Sequence, residues 1–342
     1  MMNDFFETIR KFLNEYLPNQ RCLSENTIRS YRQALNLFVK FLREVKGYTV
    51  TKIQFSVISR ETLLEFLNWI ETERKCSAST RNQRLMVLRT FFDFAGIIDC
   101  TQTSLYMDSL NIPVKEEHGK VVEFLSEAAL EALLQQPNPT KKKELRTLTF
   151  MILMYDTAAR CCELLGMRIK DLRLNAEHPI AYLHGKGEKT RTVPLLPKTV
   201  QHCKRYLKKF HSDEPADSEK YVFFTMIHGT QNRMSHDNAA DFIKRYGLMA
   251  AQKCAEIPKH LHPHMLRHTR AMHLYRNGMP LELLSQFLGH SSVDTTRIYA
   301  YADTEMKRAA LEKIDPQNSS EKSPTAIWED DENMILRLSG LL

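Results

Sequence analysis

The chain has 342 residues, 43% of them hydrophobic and 26% charged, with a formal net charge of +7. That length suits two domains with separate cores, and the apolar fraction excludes wholesale disorder. No run approaches the roughly twenty apolar residues that span a bilayer, so no membrane partner is expected. Seven scattered cysteines without a C-x-x-C pair point to reduced thiols in the cytoplasm. The charge is uneven: residues 316–342 hold two basic and five acidic residues, leaving +10 on the body and −3 on the tail. A basic body suits a polyanionic partner such as nucleic acid.

Residues 1–110 read as a helical bundle. Phe5, Ile9, Phe12, Leu13 and Tyr16 recur at helical spacing. A second helix, capped by Ser24 or Asn26, runs through Tyr31, Leu35, Phe38, Val39 and Leu42 to Gly47. A third covers Glu61 to about Glu73. A fourth starts near Ser79, carries Leu85, Leu88, Phe92 and Ala95, and ends at Gly96. Opposite that apolar stripe lie Arg81 and Arg84. With Thr80 they form a candidate DNA-contacting face, a solvated face being the plain alternative.

Residues 111–125 lack amphipathic period and contain Pro113 and Gly119, which suggests a linker. A second domain, 126–315, then mixes helices with a few strands. Leu145 to Leu165 has the pattern of one long apolar helix. Ile180–Leu183 and Thr192–Leu195 make a hairpin with Lys186 between two glycines at its tip. Residues 221–224 are a short strand or a helix start. Helices are expected around 236–252, 264–277, 281–288 and 292–313. The segment 316–342 is a turn-rich tether followed by an amphipathic helix bearing Ile327, Met334, Leu338 and Leu341. Such a stripe has to dock, on its own domain or on a neighbouring subunit.

Four polar clusters stand out in the second domain. Arg160-Cys161-Cys162-Glu163 lies in apolar surroundings, where an arginine needs a partner and Glu163 at i+3 offers one. The hairpin tip is Gly185-Lys186-Gly187-Glu188-Lys189-Thr190-Arg191. His264 and Arg267 stand one turn apart at a helix start, where an anion is favoured. Leu288-Gly289-His290 is followed nine residues later by Tyr299. Two arginines, a lysine and two histidines make a phosphate site with acid–base groups, and tyrosine can serve as nucleophile. Several cations around Tyr299 should favour its phenolate.

In order and spacing, A-R-x-x-E-L, the lysine hairpin, H-x-L-R-H-T, L-G-H and T-T-x-x-Y resemble the tyrosine recombinases, the phage-integrase and Xer-like family. The resemblance covers roughly residues 20–313. It implies a mainly α fold with a small β-hairpin or sheet in the catalytic domain, and a helical core-binding domain completing a two-domain DNA clamp. Carried over by position, Arg160 and Arg267 would grip the scissile phosphate. Tyr299 would attack it to form a 3′-phosphotyrosyl link, and Lys186 would protonate the leaving 5′-oxygen. His264 would assist proton transfer at the tyrosine, His290 would hydrogen-bond the phosphate, and Glu163 would steady the site. Lys189 and Arg191 join Thr80, Arg81 and Arg84 as expected DNA contacts. The bond energy is stored covalently, so no cofactor, metal or ATP is implied. The implied partners are double-stranded DNA bearing specific recombination sites and a homotetramer that exchanges C-terminal helices.

The chain departs from the family pattern at Ala158, where a glycine is usual, and at Cys161 and Cys162. Tyr301 is a rival nucleophile and Lys189 a rival to Lys186. A zinc site at Cys254, His260, His262, His264 and His268 lacks the second ligand pair such sites use. A DNA-binding protein without catalysis and a type IB topoisomerase are the other rivals.

Overall fold

The computed structural model describes residues 4–116, 122–185, 189–290 and 292–302, and the chain divides into two units, Met1–Lys120 and Val121–Leu342. In the first, α1 (Asp4–Lys11) runs into a π-helical segment, Phe12–Gln20, that contains Pro18. Then follow α2 (Glu25–Glu44), α3 (Arg60–Thr72), α4 (Ala78–Ile98) and α5 (Thr103–Leu110). Helices α2, α3 and α4 each open on a serine whose hydroxyl accepts an N–H three residues on: Ser24 from Thr27, Ser59 from Thr62, Ser77 from Thr80. The core is aromatic, with Phe5, Phe12, Phe38, Phe66, Phe91 and Phe92 fully buried. Phe91 meets Phe5 and Phe12 edge-on at 5.8 and 5.4 Å.

Helix α4 departs from its sequence pattern twice. Gly96 does not end it, because the helix continues to Ile98; a Cβ there would lie 3.3 Å from Thr103 Oγ1, so the glycine lets α5 approach. Arg81 is no solvated DNA contact. It is 4% exposed, and its Nη1 donates to the Pro113 carbonyl at 2.8 Å. Its neighbour Asn82 pairs with Lys115 through both backbone groups, at 2.8 and 3.0 Å. Arg89 donates to the carbonyls of Ser109, Leu110 and Ile112. Ile112 is fully buried. Residues 111–115, expected in the linker, are therefore tied to the first unit. Periodicity missed this because an extended segment held through its backbone leaves no pattern in its own side chains.

In the second unit come α6 (Glu127–Leu134), α7 (Lys142–Thr157) and α8 (Cys161–Gly166). An antiparallel sheet of order β1-β2-β3 follows, from Leu172–Arg173, Ile180–His184 and Thr190–Pro194. After α9 (Pro197–Phe210), β4 (Phe224–Ile227) and β5 (Thr230–Arg233) form a hairpin. Its turn residues His228 and Gly229 both take positive φ, as a tight hairpin turn requires. Helices α10 (His236–Ala251), α11 (Pro263–Arg276), α12 (Leu281–Leu288) and α13 (Arg297–Ala302) complete the described residues. Leu125 is buried in this unit's main core, so the C-terminal end of the expected linker belongs here. The helix expected over 292–313 begins only at Arg297, after a 3₁₀ turn at Val293–Thr295. The tail 316–342 lies outside the described residues.

The pattern over 145–165 is two helices, not one. Ala158 takes a left-handed conformation (φ 47°) and ends α7, and Arg160 is extended before α8. This break swings Arg160 out of the apolar stripe. A second, smaller core gathers Ala158, Ala271, Met272, Leu284, Leu288 and Tyr299.

Candidate active site

A helix C-terminus leaves carbonyls without partners and carries a partial negative charge. Here α7 and α12 end on left-handed residues, Ala158 and Gly289 (φ 64°). Arg267, on α11 and 1% exposed, takes up both ends: Nη1 donates to the Ala158 carbonyl at 2.7 Å and Nη2 to Leu288 at 2.8 Å. Burial, with Arg160 and Arg191 nearby, pushes its pKa down to about 10, which still leaves it charged at neutral pH. Arg160 Nη2 donates to the Gly289 carbonyl at 3.1 Å. A Cβ at Gly289 would come within 3.0 Å of the Arg191 side chain, so this turn needs glycine for space as well as for φ.

Glu163 joins the arginines. Its carboxylate accepts the Arg160 N–H at 2.8 Å, Arg160 Nη1 at 2.8 Å, and Arg191 Nη1 and Nη2 at 3.0 and 2.9 Å. Burial pushes the Glu163 pKa up, but Arg191 and Arg160 outweigh it and hold the carboxyl below its usual value. Arg191 also donates Nε to the Phe287 carbonyl. Expected on DNA, Arg191 is instead committed to Glu163 and the backbone, because β3 aims it inward. Lys189 is exposed, as expected of a surface contact. Lys186 lies outside the described residues. The stem below it is closed by the Gly185 N–H donating to the Lys189 carbonyl at 2.8 Å. A Cβ at Gly185 would lie 3.4 Å from Glu163 Oε1, so that stem abuts the arginine cluster.

The histidines sit on the same side. His264, Arg267 and His268 share one face of α11 at i, i+3 and i+4. His290 Nδ1 is hydrogen-bonded to the buried Thr296 hydroxyl at 2.8 Å. Tyr299, 1% exposed, is hydrogen-bonded through its hydroxyl to His268 Nδ1 at 2.9 Å. The sequence assigns the tyrosine proton to His264; the structure puts His268 on the hydroxyl. His264 makes no hydrogen bond among the described residues and meets the His268 ring edge-to-face, centroids 4.5 Å apart. Helical spacing alone could have found His268, since it shares the face of His264 and Arg267.

Burial first, then the neighbouring positive groups, pushes His264, His268 and His290 each down to about 4. His264 shows this although the residue as a whole is exposed, with Arg267, His262 and Arg160 adding to the effect. All three are neutral at neutral pH. The expected phenolate is not formed: burial pushes Tyr299 up to about 12, outweighing Arg267 and Arg160. The cations are real, but the tyrosine sits in the apolar cluster with Leu284 and Leu288, where the neutral form is favoured. Among the described residues no three His, Cys, Asp or Glu side chains converge as metal ligands.

Two family models match the chain in succession: the phage integrase N-terminal SAM-like domain over residues 9–96, and the phage integrase family over residues 123–306. The chain belongs to the phage integrase family. It is a tyrosine-type site-specific DNA recombinase. A putative integrase/recombinase, y4rC, of Sinorhizobium fredii is 27% identical over 334 residues, 97% of each chain. The tyrosine recombinase XerD of Staphylococcus haemolyticus is 28% identical over 312 residues, 91% of this chain and 99% of XerD. Among solved structures, the XerH site-specific recombinase bound to its palindromic difH substrate, a post-cleavage complex, shares the fold with a TM-score of 0.66. It is 21% identical, covering 90% of this chain and 88% of that one. No helix among the described residues of this phage integrase family member is long and apolar enough to cross a membrane.

Proposed function

We propose that this recombinase cuts and rejoins DNA at a single phosphodiester held between Arg160, Arg267, His264 and His290. The observation that carries this is the convergence of two anchored guanidiniums and three neutral imidazoles on a buried tyrosine. Each guanidinium has five N–H donors, so the carbonyl and carboxylate bonds leave others for phosphate oxygens. Positive groups fixed before the reaction stabilise charge as it develops on those oxygens. Tyr299 attacks phosphorus to give a 3′-phosphotyrosyl link, and Lys186 protonates the 5′-oxygen that leaves. A 5′-hydroxyl from a second DNA end reverses the step. Glu163 and Arg191 keep Arg160 in place.

Along the duplex, Thr80, Arg84 and Lys189 take phosphate contacts. Lys189 is exposed, whereas Thr80 and Arg84 are half-buried, and Arg84 Nε and Nη1 are enclosed and without hydrogen-bond partners among the described residues. The chain acts as a homotetramer on paired sites, in the cytoplasm at the nucleoid. There the C-terminal helix, with Ile327, Met334, Leu338 and Leu341 on one face, docks on the adjacent protomer. Truncation after Asp315 is expected to weaken assembly on DNA and to spare folding of the monomer.

Sequencing DNA trapped covalently on the protein tests the whole. A single recurrent site, with adducts lost in Tyr299→Phe, is expected. Adducts spread without sequence preference, with relaxation of a plain supercoiled plasmid, would overturn site-specific recombination in favour of a topoisomerase-like activity.

A further inference from the structure

A buried phenol needs a hydrogen-bond partner, and many groups could supply one. For Tyr299 the partner is the Nδ1 of His268, at 2.9 Å, and no other group bonds its hydroxyl among the described residues. We propose that His268, rather than His264, receives the Tyr299 proton as the tyrosine attacks, a role that rests on the recombinase function above. In that step the Tyr299 O–H bond breaks and an N–H bond forms at Nδ1, making an imidazolium. The tyrosine oxygen bonds phosphorus, the bond from phosphorus to the 5′-oxygen breaks, and that oxygen takes a proton from Lys186. On rejoining, the incoming 5′-hydroxyl returns a proton to Lys186 and the imidazolium returns one to Tyr299.

The surroundings make this step dependent on DNA. Around His268 stand His264 and Arg267 on its own helix, His262 just before that helix, His290 after α12, and Tyr299 on α13. Arg160 and Arg267 face the tyrosine. Burial, reinforced by those positive groups, makes the imidazole hold protons weakly, and burial, against the pull of the two arginines, makes the phenol hold its own tightly, so the free protein keeps Tyr299 neutral. A phosphodiester anion bound by the two arginines offsets the positive groups that add to burial in depressing His268. Its proton affinity rises where and when the nucleophile is needed. His264, exposed and without a hydrogen bond among the described residues, remains available to the phosphate.

The test uses the full chain and a nicked duplex oligonucleotide carrying the site recovered from trapped adducts, in single turnover. Asparagine can keep a hydrogen bond to the tyrosine but cannot take its proton at neutral pH. His268→Asn should lower cleavage by about 10²–10⁴-fold while the same oligonucleotide still binds. In His268→Ala, added imidazoles should restore cleavage in proportion to their basicity, a dependence a merely structural role would not produce. In the DNA-free protein, ¹⁵N NMR should show His268 Nδ1 as an acceptor whose shift moves in Tyr299→Phe. Cleavage by His268→Asn equal to wild type, rescue that ignores basicity, or an Nδ1 shift unmoved by Tyr299→Phe would overturn this assignment alone. A wild-type chain that forms no adduct overturns the recombinase function and this role with it.

Discussion

Arg81 in the first unit and Arg267 in the second are both buried arginines that donate to backbone carbonyls, and both have pKa values lowered by that burial. Their surroundings separate them. Arg81 and Arg89 hold a stretch of their own chain, residues 109–113, against α4. Arg267 bonds the ends of two helices, and beside it stand a second arginine, three imidazoles and a tyrosine. Burying an arginine says only that a backbone there needs donors. Chemistry requires that the donors converge with a nucleophile and with groups able to move a proton.

The largest effect that could break this contrast is at the nucleophile. Tyr299→Phe should abolish covalent protein–DNA adducts, seen on denaturing gels, while binding in gel-shift assays persists. A surviving adduct would move the nucleophile elsewhere, Tyr301 first. Arg267→Ala should lower cleavage by about 10²–10³-fold with a far smaller loss of DNA affinity. Equal losses would make it a binding residue, closer to what the sequence expected of Arg81.

Arg81→Ala should act the other way. It strands the Pro113 carbonyl and should cost about 1–3 kcal/mol of stability in urea titration. The slope of log affinity against log salt should stay unchanged, whereas loss of a phosphate contact would shift it by about 0.9. A shifted slope with unaltered stability would return Arg81 to the DNA.

The two units should also differ in acid. His264, His268 and His290 have folded pKa values of about 4, below their ordinary value of 6.5. Between those values the unfolded chain binds protons that the folded chain does not. Their contribution to stability is therefore complete above pH 6.5 and is lost as pH falls toward 4. Residues 1–117 contain no histidine. Hydrogen exchange followed by mass spectrometry from neutral pH downward should show α11–α13 loosening before α2–α4. Simultaneous loosening would assign the acid effect to other groups.

The smallest effect is at Ala158. Glycine would relieve a left-handed alanine, worth about 1–2 kcal/mol, but would remove a buried methyl worth about 0.8 kcal/mol. Ala158→Gly should therefore move stability by no more than about 1 kcal/mol, measured by thermal melt, and leave cleavage intact. A large loss would mean that the methyl packs Tyr299 more tightly than its area suggests.

Helix periodicity and serine caps were legible in the sequence for α2, α3 and α4, because propensity and capping act within a few residues. The order of polar motifs was legible too, and the fold brings Arg160, Arg267, His290 and Tyr299, which it singled out, near one another. The helix break at Ala158 was not, since alanine favours helix and only the tertiary fold forces it left-handed. Arg81 and Arg191 were misjudged for one reason: a charged residue looks the same in sequence whether it meets DNA or a carboxylate folded in from elsewhere. His268 was passed over because the motif singled out its neighbour one turn away.

The sequence by itself determined the two helical patterns, the lysine hairpin and the set of groups able to handle a phosphodiester. Those follow from local spacing and from side-chain chemistry. The tertiary structure decided which cations are already committed, which imidazole meets the tyrosine, and that the tyrosine stays neutral. These depend on burial and on partners distant in the chain, and desolvation in a packed site outweighs the charges that composition alone can count.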